Sequence, residues 1–88
     1  MVTEIKKRNG NIEKFDPTKI ITAISKAGNV DYDTKCRIAH EIEQESGVLN
    51  IEDIQDMVEH KLIEAGYVDI ALEYVRYRHE RKLIRDND

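Results

Sequence analysis

Residues 5–20 read Ile5-Lys6-Lys7-Arg8-Asn9-Gly10-Asn11-Ile12-Glu13-Lys14-Phe15-Asp16-Pro17-Thr18-Lys19-Ile20. Asn9-Gly10 sits between two short alternating stretches. It predicts a two-residue hairpin turn of type I′, which needs positive φ at both central positions. The flanking strands are then residues 2–7 and 11–15, with Ile5 and Ile12 facing the core. Asp16-Pro17 predicts a helix start, a carboxylate N-cap followed by proline at the first helical position. The order of charged strand, tight turn, second strand and helix N-terminus gathers cations, two carboxylates and the Phe15 ring into a small volume.

Working outward, Ile20, Ile24 and Ala27 recur at helical spacing, and Ile21 and Ala23 widen the stripe. Gly28-Asn29 is expected to end this helix in the left-handed conformation. Asp31 or Asp33 starts a second helix, with Ile38, Ala39 and Ile42 inward, and Ser46-Gly47 stops it. Val48-Leu49 adds a short third strand. Asn50 caps a third helix, with Asp53 completing an approximate capping box. Ile51, Ile54, Met57, Val58 and Leu62 form its buried stripe, and Gly66 ends it. A fourth helix from about Asp69 to Arg85 buries Ile70, Ala71, Tyr74, Val75 and Tyr77. The expected fold is α+β and mostly helical: a small antiparallel hairpin or three-stranded sheet capping a four-helix bundle, as one domain over residues 1–88.

The 88 residues suffice for one modest core. No apolar run could span a membrane, and the N-terminus lacks a signal-peptide core, so a cytoplasmic location is expected. Cys36 is the only cysteine, which excludes an internal disulfide and any multi-cysteine zinc site. The net charge is −4, which argues against a general nucleic-acid binder. The acidic charge lies in the middle, however. Residues 1–20 hold five basic and three acidic side chains, and Arg76, Arg78, Arg81, Lys82 and Arg85 cluster near the end. A fold that joins the two ends makes a local cationic pocket.

That pocket suits phosphate. Fixed ammonium and guanidinium groups make the strong, charge-assisted bonds to its oxygens, and a helix N-terminus adds oriented N–H groups. Lys7, Arg8 and Lys19 are the candidates. Glu13 can accept from an exocyclic amine of adenine, which it cannot do from a keto group. Phe15 either contacts a base or packs in the core. From composition and spacing alone, a solvated hairpin with scattered charges is the stronger reading. Neither a Walker phosphate loop nor a G-x-G-x-x-G pattern is present. His40, His60 and His79 make no metal spacing with Cys36, and no nucleophile–base arrangement can be assembled, so no catalytic residue is assigned. In the last helix, Arg78 and Lys82 form a like-charge pair that costs stability unless an anion or an acidic neighbour offsets it. Nucleic acid is a second reading of that basic face, weakened by the overall acidity.

Three blocks carry a family likeness. Ile5-x-Lys7-Arg8-Asn9-Gly10 with Glu13-x-Phe15-Asp16-x-x-Lys19-Ile20 resembles the start of an ATP-cone domain. Glu52-Asp53-Ile54-Gln55-Asp56-x-Val58-Glu59 resembles that family's third helix, and Ala71-x-x-Tyr74-x-x-Tyr77-Arg78-x-x-Arg81 its last. ATP-cones sit mostly at the N-terminus of the large subunit of ribonucleotide reductases, and also occur in a transcriptional repressor behind a zinc ribbon. This chain lacks ribbon cysteines, and its Tyr-Arg-His-Glu-Arg ending looks more like the anaerobic or cobalamin-dependent reductases. The resemblance implies an overall-activity switch, on with ATP and off with dATP, carried with Mg2+ and read out through an effector-dependent oligomer of a parent reductase with its own catalytic core. It implies phosphate roles for Lys7, Arg8 and Lys19, adenine roles for Glu13 and Asp16, and a base-pocket role for Ile5. Three positions depart from the pattern. Asp16 stands where asparagine is common, and Gln55 where some members place a ribose-contacting histidine. Glu80 stands where a lysine binds phosphate, which leaves Arg78 or Arg81 to serve. The domain alone is not an enzyme. The alternatives are an ATP-cone transcriptional regulator, a nucleic-acid-binding module or a helical protein-interaction module.

Overall fold

The computed structural model describes residues 3–7, 9–45 and 49–86, with Leu49 and residues 79–86 described by backbone alone. The elements run β1 (Glu4–Lys6), β2 (Ile12–Lys14), α1 (Pro17–Ala27), α2 (Tyr32–Glu43), β3 (Leu49–Asn50), α3 (Ile51–Glu64) and α4 (Val68–Asp86). Most of the chain is helical, with a small sheet, so the class is α+β. The Ser46-Gly47 helix stop and Val48 lie outside the described residues, as do Arg8 and the Arg81 side chain.

The hairpin forms with a different turn from the one expected. The Lys7 amide donates to the Asn11 carbonyl (2.8 Å) and the Gly10 amide to the Lys7 carbonyl (3.0 Å). Three residues therefore separate Lys7 from Asn11. Gly10 has φ +87, and among the described residues no non-glycine residue has positive φ. This is the three-residue hairpin, a turn followed by one left-handed residue, and not type I′. Asn9 Oδ1 accepts from the Asn11 amide (3.0 Å), the local bond that suits asparagine to turns.

The extra loop residue has a large consequence. A two-residue turn would pair Ile5 with Lys14 and Lys7 with Ile12, placing both isoleucines on one face. The observed register pairs Ile5 with Glu13 and Lys6 with Ile12. A one-residue slip turns a strand's side chains over. Ile12 is accordingly 58% exposed, against the expectation, and Glu13 joins Ile5 on the inner face.

β3 pairs with β1 in parallel, Ile5 opposite Leu49 and Lys6 opposite Asn50. Asn50 occupies the N-cap position of α3 but makes no side-chain cap bond, so the expected capping box is absent. Its backbone is committed to the sheet at the same point. Because α3 follows β3 directly, this pairing sets the first turn of α3 beside the hairpin.

The helix ends follow local chemistry. Asp16 Oδ1 accepts from the Thr18 amide (3.0 Å) ahead of Pro17. Asp31 caps α2 by accepting from the Thr34 amide (3.0 Å). After α3, the Gly66 amide donates to Ile63 and the Tyr67 amide to Leu62, with Gly66 at φ +93. This is the Schellman arrangement, which favours glycine. Gly28 differs from expectation. Its φ of 172 is extended, and the reason for glycine there is room: a Cβ would meet Ile70 Cγ1 at 2.7 Å.

The helices pack in a ring, α1 on α2 and α4, and α3 on α2 and α4. The core between them is Ile20, Ile24, Val30, Ile38, Ala39, Ile42, Ile54, Val58, Leu62, Ala71 and Tyr74. These come from the stripes that the periodicity marks, with Val30 added from the α1–α2 connection, whereas Val75 and Tyr77, expected inside, are half-buried and lie outside this core. Ile5 and Phe15 pack against its edge. No helix among the described residues is long and apolar enough to cross a membrane.

Candidate functional site

A cavity of about 350 Å3 opens where the hairpin meets the helices, lined by Ile5, Lys7, Glu13, Lys14, Asp16, Lys19, Ile20, Ala23, Ile51, Ile54, Gln55 and Tyr74. Its volume falls within the roughly 300–1,000 Å3 of small-molecule sites. Each wall has a local cause. The three-residue turn puts Ile5, Lys7 and Glu13 on one strand face. The Asp16 cap fixes the start of α1, whose first turns present Lys19, Ile20 and Ala23. The β1–β3 pairing brings in Ile51, Ile54 and Gln55. Tyr74 closes the floor from α4.

The chemistry is polarised. Ile5, Ile20, Ala23, Ile51 and Ile54 supply an aliphatic side. On the other side, Lys7 Nζ lies 2.9 Å from Glu13 Oε1, and Lys19 Nζ lies 3.6 Å from Glu13 Oε2. One carboxylate is shared by two ammonium groups. The Lys7 hydrogen bond, with the nearby Lys19 charge, holds the Glu13 carboxyl below its ordinary value. Three lysines line the cavity against two carboxylates, so positive charge is in excess. An aliphatic slot beside a cationic rim matches a flat heterocycle carrying an anionic tail.

Two further polar residues belong to the lining, Gln55 and Tyr74. Gln55 Oε1 is buried and, among the described residues, has no hydrogen-bond donor. A buried unpaired acceptor is costly, and in native proteins it asks for an explanation. Burial pushes the Tyr74 hydroxyl up to about 12.

Of the sequence-derived candidates, Ile5, Lys7, Glu13, Asp16, Lys19 and Gln55 meet at this cavity, although Gln55 is distant in sequence. Phe15 is not in the lining and packs against the core edge. Arg78 is not in the lining either. Its Nη1 lies 3.1 Å from Asp56 Oδ1 and its Nη2 3.6 Å from Glu59 Oε2. Here is the acidic neighbour that the crowded cations of α4 require. Periodicity marks Ile20, Ala23, Ile51, Ile54 and Tyr74 as core positions, and no pattern singles out Lys14, yet all six line the cavity. Core stripes and pocket walls share one periodicity, so no spacing rule separates them. Among the described residues, no three His, Cys, Asp or Glu side chains gather to hold a metal ion.

Comparison with known proteins gives a family and several relatives. A family model described as ATP cone domain matches residues 3–83. The anaerobic ribonucleoside-triphosphate reductase of Haemophilus influenzae is 36% identical, over 91% of this chain and 13% of that protein. The ribonucleoside-diphosphate reductase subunit alpha of Chlamydia pneumoniae is 33% identical, over 98% of this chain and 10% of its own length. The vitamin B12-dependent ribonucleoside-diphosphate reductase of Mycobacterium tuberculosis is 33% identical, over 93% and 13% respectively. The chain spans about an eighth or less of the length of these relatives. The match runs from before the hairpin into the last helix and takes in every wall of the cavity, and on that ground the chain belongs to the ATP cone domain family.

Proposed function

We propose that this chain is an allosteric regulatory domain that binds ATP or dATP in the hairpin cavity and controls the overall activity of a ribonucleotide reductase core in its parent protein. The observation that carries the reading is the meeting of Lys7, Lys19, Glu13, Asp16 and Gln55 around one aliphatic slot. Lys7 and Lys19, with Arg8, hold the phosphates. Glu13 and Asp16 read the adenine edge, Asp16 through the oxygen that does not cap Thr18. Ile5 and Ile51 sandwich the base. The orphan Gln55 Oε1 takes a donor, and a ribose hydroxyl supplies one. Mg2+ would be held by the phosphate oxygens, its usual mode in nucleotide sites. In the parent, ATP permits turnover and dATP shuts it down through a change of oligomer. The domain itself carries no catalysis. Its place in the cell is then the cytoplasm, where its nucleotides are.

The nucleic-acid reading draws no support from Arg78, whose guanidinium is committed to Asp56 and Glu59.

Calorimetry and an amide NMR titration of the folded chain test the proposal. Saturable heat with ATP or dATP, and shifts confined to the hairpin, the first turn of α1 and the start of α3, are expected. No heat and no shifts with either nucleotide would reject it.

A further inference from the structure

The two lysines best placed for phosphate already share one internal counter-charge, which offsets part of their positive charge. Both oxygens of the Glu13 carboxylate are engaged, Oε1 by Lys7 Nζ at 2.9 Å and Oε2 by Lys19 Nζ at 3.6 Å. Glu13 thus occupies the position of an anionic ligand. A triphosphate arriving at Lys7 and Lys19 must displace it, and the displaced carboxylate needs a new donor. Left alone beside incoming phosphates, it repels them.

We propose that Glu13 makes phosphate binding conditional on the base: it holds Lys7 and Lys19 until an amine on the ligand draws its carboxylate away. This rests on the adenine-nucleotide reading of the cavity and adds a coupling that neither subsite has alone. An amine-bearing base supplies N–H donors to Glu13 and releases the lysines. A base with a keto oxygen at that edge faces the carboxylate acceptor to acceptor and leaves the lysines engaged. Bare tripolyphosphate brings no donor and meets the full competition. Glu13 is therefore a specificity-determining residue for the tail as well as for the base.

The size of the effect follows from the geometry. Glu13 is 41% exposed, and pairs of this kind are worth about 1.5-fold to fivefold each. Calorimetric affinities of ATP, inosine triphosphate and tripolyphosphate are compared for the unsubstituted chain, Glu13→Gln and Glu13→Ala. A thermal melt checks that each is folded. Glu4→Gln, a neutralisation on the same hairpin outside the cavity lining, controls for net charge.

In the unsubstituted chain, ATP is expected to bind well above the other two. In Glu13→Gln, tripolyphosphate and inosine triphosphate tighten by about threefold to tenfold and ATP weakens by about fivefold, so the preference for ATP collapses. Glu4→Gln moves tripolyphosphate by less than about twofold, as a screened surface charge should. Tripolyphosphate unchanged or weakened in both Glu13 variants overturns the proposal. So does an equal tightening in Glu4→Gln. If the unsubstituted chain binds ATP while the Glu13 variants leave tripolyphosphate unmoved, the coupling falls and the nucleotide reading stands. If tripolyphosphate tightens but ATP never binds, the competition by Glu13 stands and the adenine reading falls. No binding of any ligand to any variant overturns both.

Discussion

Two charge clusters in this chain are built from the same parts in opposite proportion. At the cavity, Lys7 and Lys19 share the single carboxylate of Glu13. Between α3 and α4, the single guanidinium of Arg78 is shared by Asp56 and Glu59. The first has a cation left over and faces a hollow. The second has its cation saturated, and at 22% exposure it lies against packed helices. A cation seen in sequence is thus not yet a ligand group. What decides its role is whether the neighbouring carboxylates outnumber it. Arg78 belongs to the same family-like block as Tyr74, yet its neighbours commit it to holding α3 against α4.

The sharpest way to break this comparison is to remove the surplus cations. Replacing Lys7 and Lys19 together with glutamine deletes two charge-assisted bonds to phosphate, each worth about 1.5–3 kcal/mol. ATP affinity by calorimetry should fall by roughly a hundredfold or more. The melting temperature should hardly move, because Lys19 is largely exposed, Lys7 is only half-buried, and pairs near the surface contribute little. A large loss of stability would mean that the cavity cluster is a structural network like the other one.

Arg78→Gln should show the reverse pattern. It leaves Asp56 and Glu59 facing each other without a cation between them. For a partly buried pair the cost is about 1–2 kcal/mol, a fall of roughly 5–15 °C for a domain of this size. ATP affinity should stay within about twofold. Weakened ATP binding in a variant that remains folded at the assay temperature would return Arg78 to the phosphate site.

These two experiments also mark the limit of what the sequence disclosed. The four helices, their inward stripes and the Asp16, Asp31 and Gly66 boundaries were legible, because each rests on local periodicity or a capping side chain. The hairpin was legible as an element but not in register. Asn9-Gly10 suits both a two-residue and a three-residue loop, and the choice depends on which strand face the helices cover. Gly28 was legible as a helix end but not for its true reason, since only the fold brings Ile70 against it. At the site, the hairpin cations were visible and the partner of Arg78 was not. An ion pair between α3 and α4 spans 22 positions, and no spacing rule reaches that far.

A third variant probes the uncharged part of the cavity. The Gln55 Oε1 acceptor is buried without a donor among the described residues. Gln55→Leu removes that liability and should stabilise the ligand-free domain by about 1 kcal/mol, read as a higher melting temperature. The same change should weaken ATP by about fivefold, since the ligand's hydroxyl loses its acceptor. A variant that is more stable and binds equally well would show that Gln55 carries a cost without a ligand role.

The smallest effect comes from a carboxylate held by neutral donors. Asp31 accepts from the Thr34 hydroxyl (2.7 Å), the Thr34 amide (3.0 Å) and the Tyr67 hydroxyl (2.7 Å). These donors, Thr34 first and then Tyr67, lower its pKa from 3.8 to about 2, and Asp31 in turn raises the Tyr67 hydroxyl. A carboxyl depressed on folding adds stability above its unfolded pKa and loses it as the pH falls through the folded one. The Asp31 contribution is therefore complete above pH 3.8 and disappears towards pH 2. Tyr67→Phe deletes one donor and leaves Thr34, so the Asp31 carboxyl should titrate higher by NMR but still below 3.8, and the acid limb of unfolding should begin slightly earlier. Neutral donors are not screened, so about 0.5 M salt should leave Asp31 where it is. Glu13 is held down by ammonium groups, and the same salt should raise its pKa towards 4.5. If salt moved both carboxyls alike, donor charge would not distinguish the two kinds of site. If only Glu13 responds, the cavity cluster is the one whose state follows the ions around it, as an anion-binding site requires.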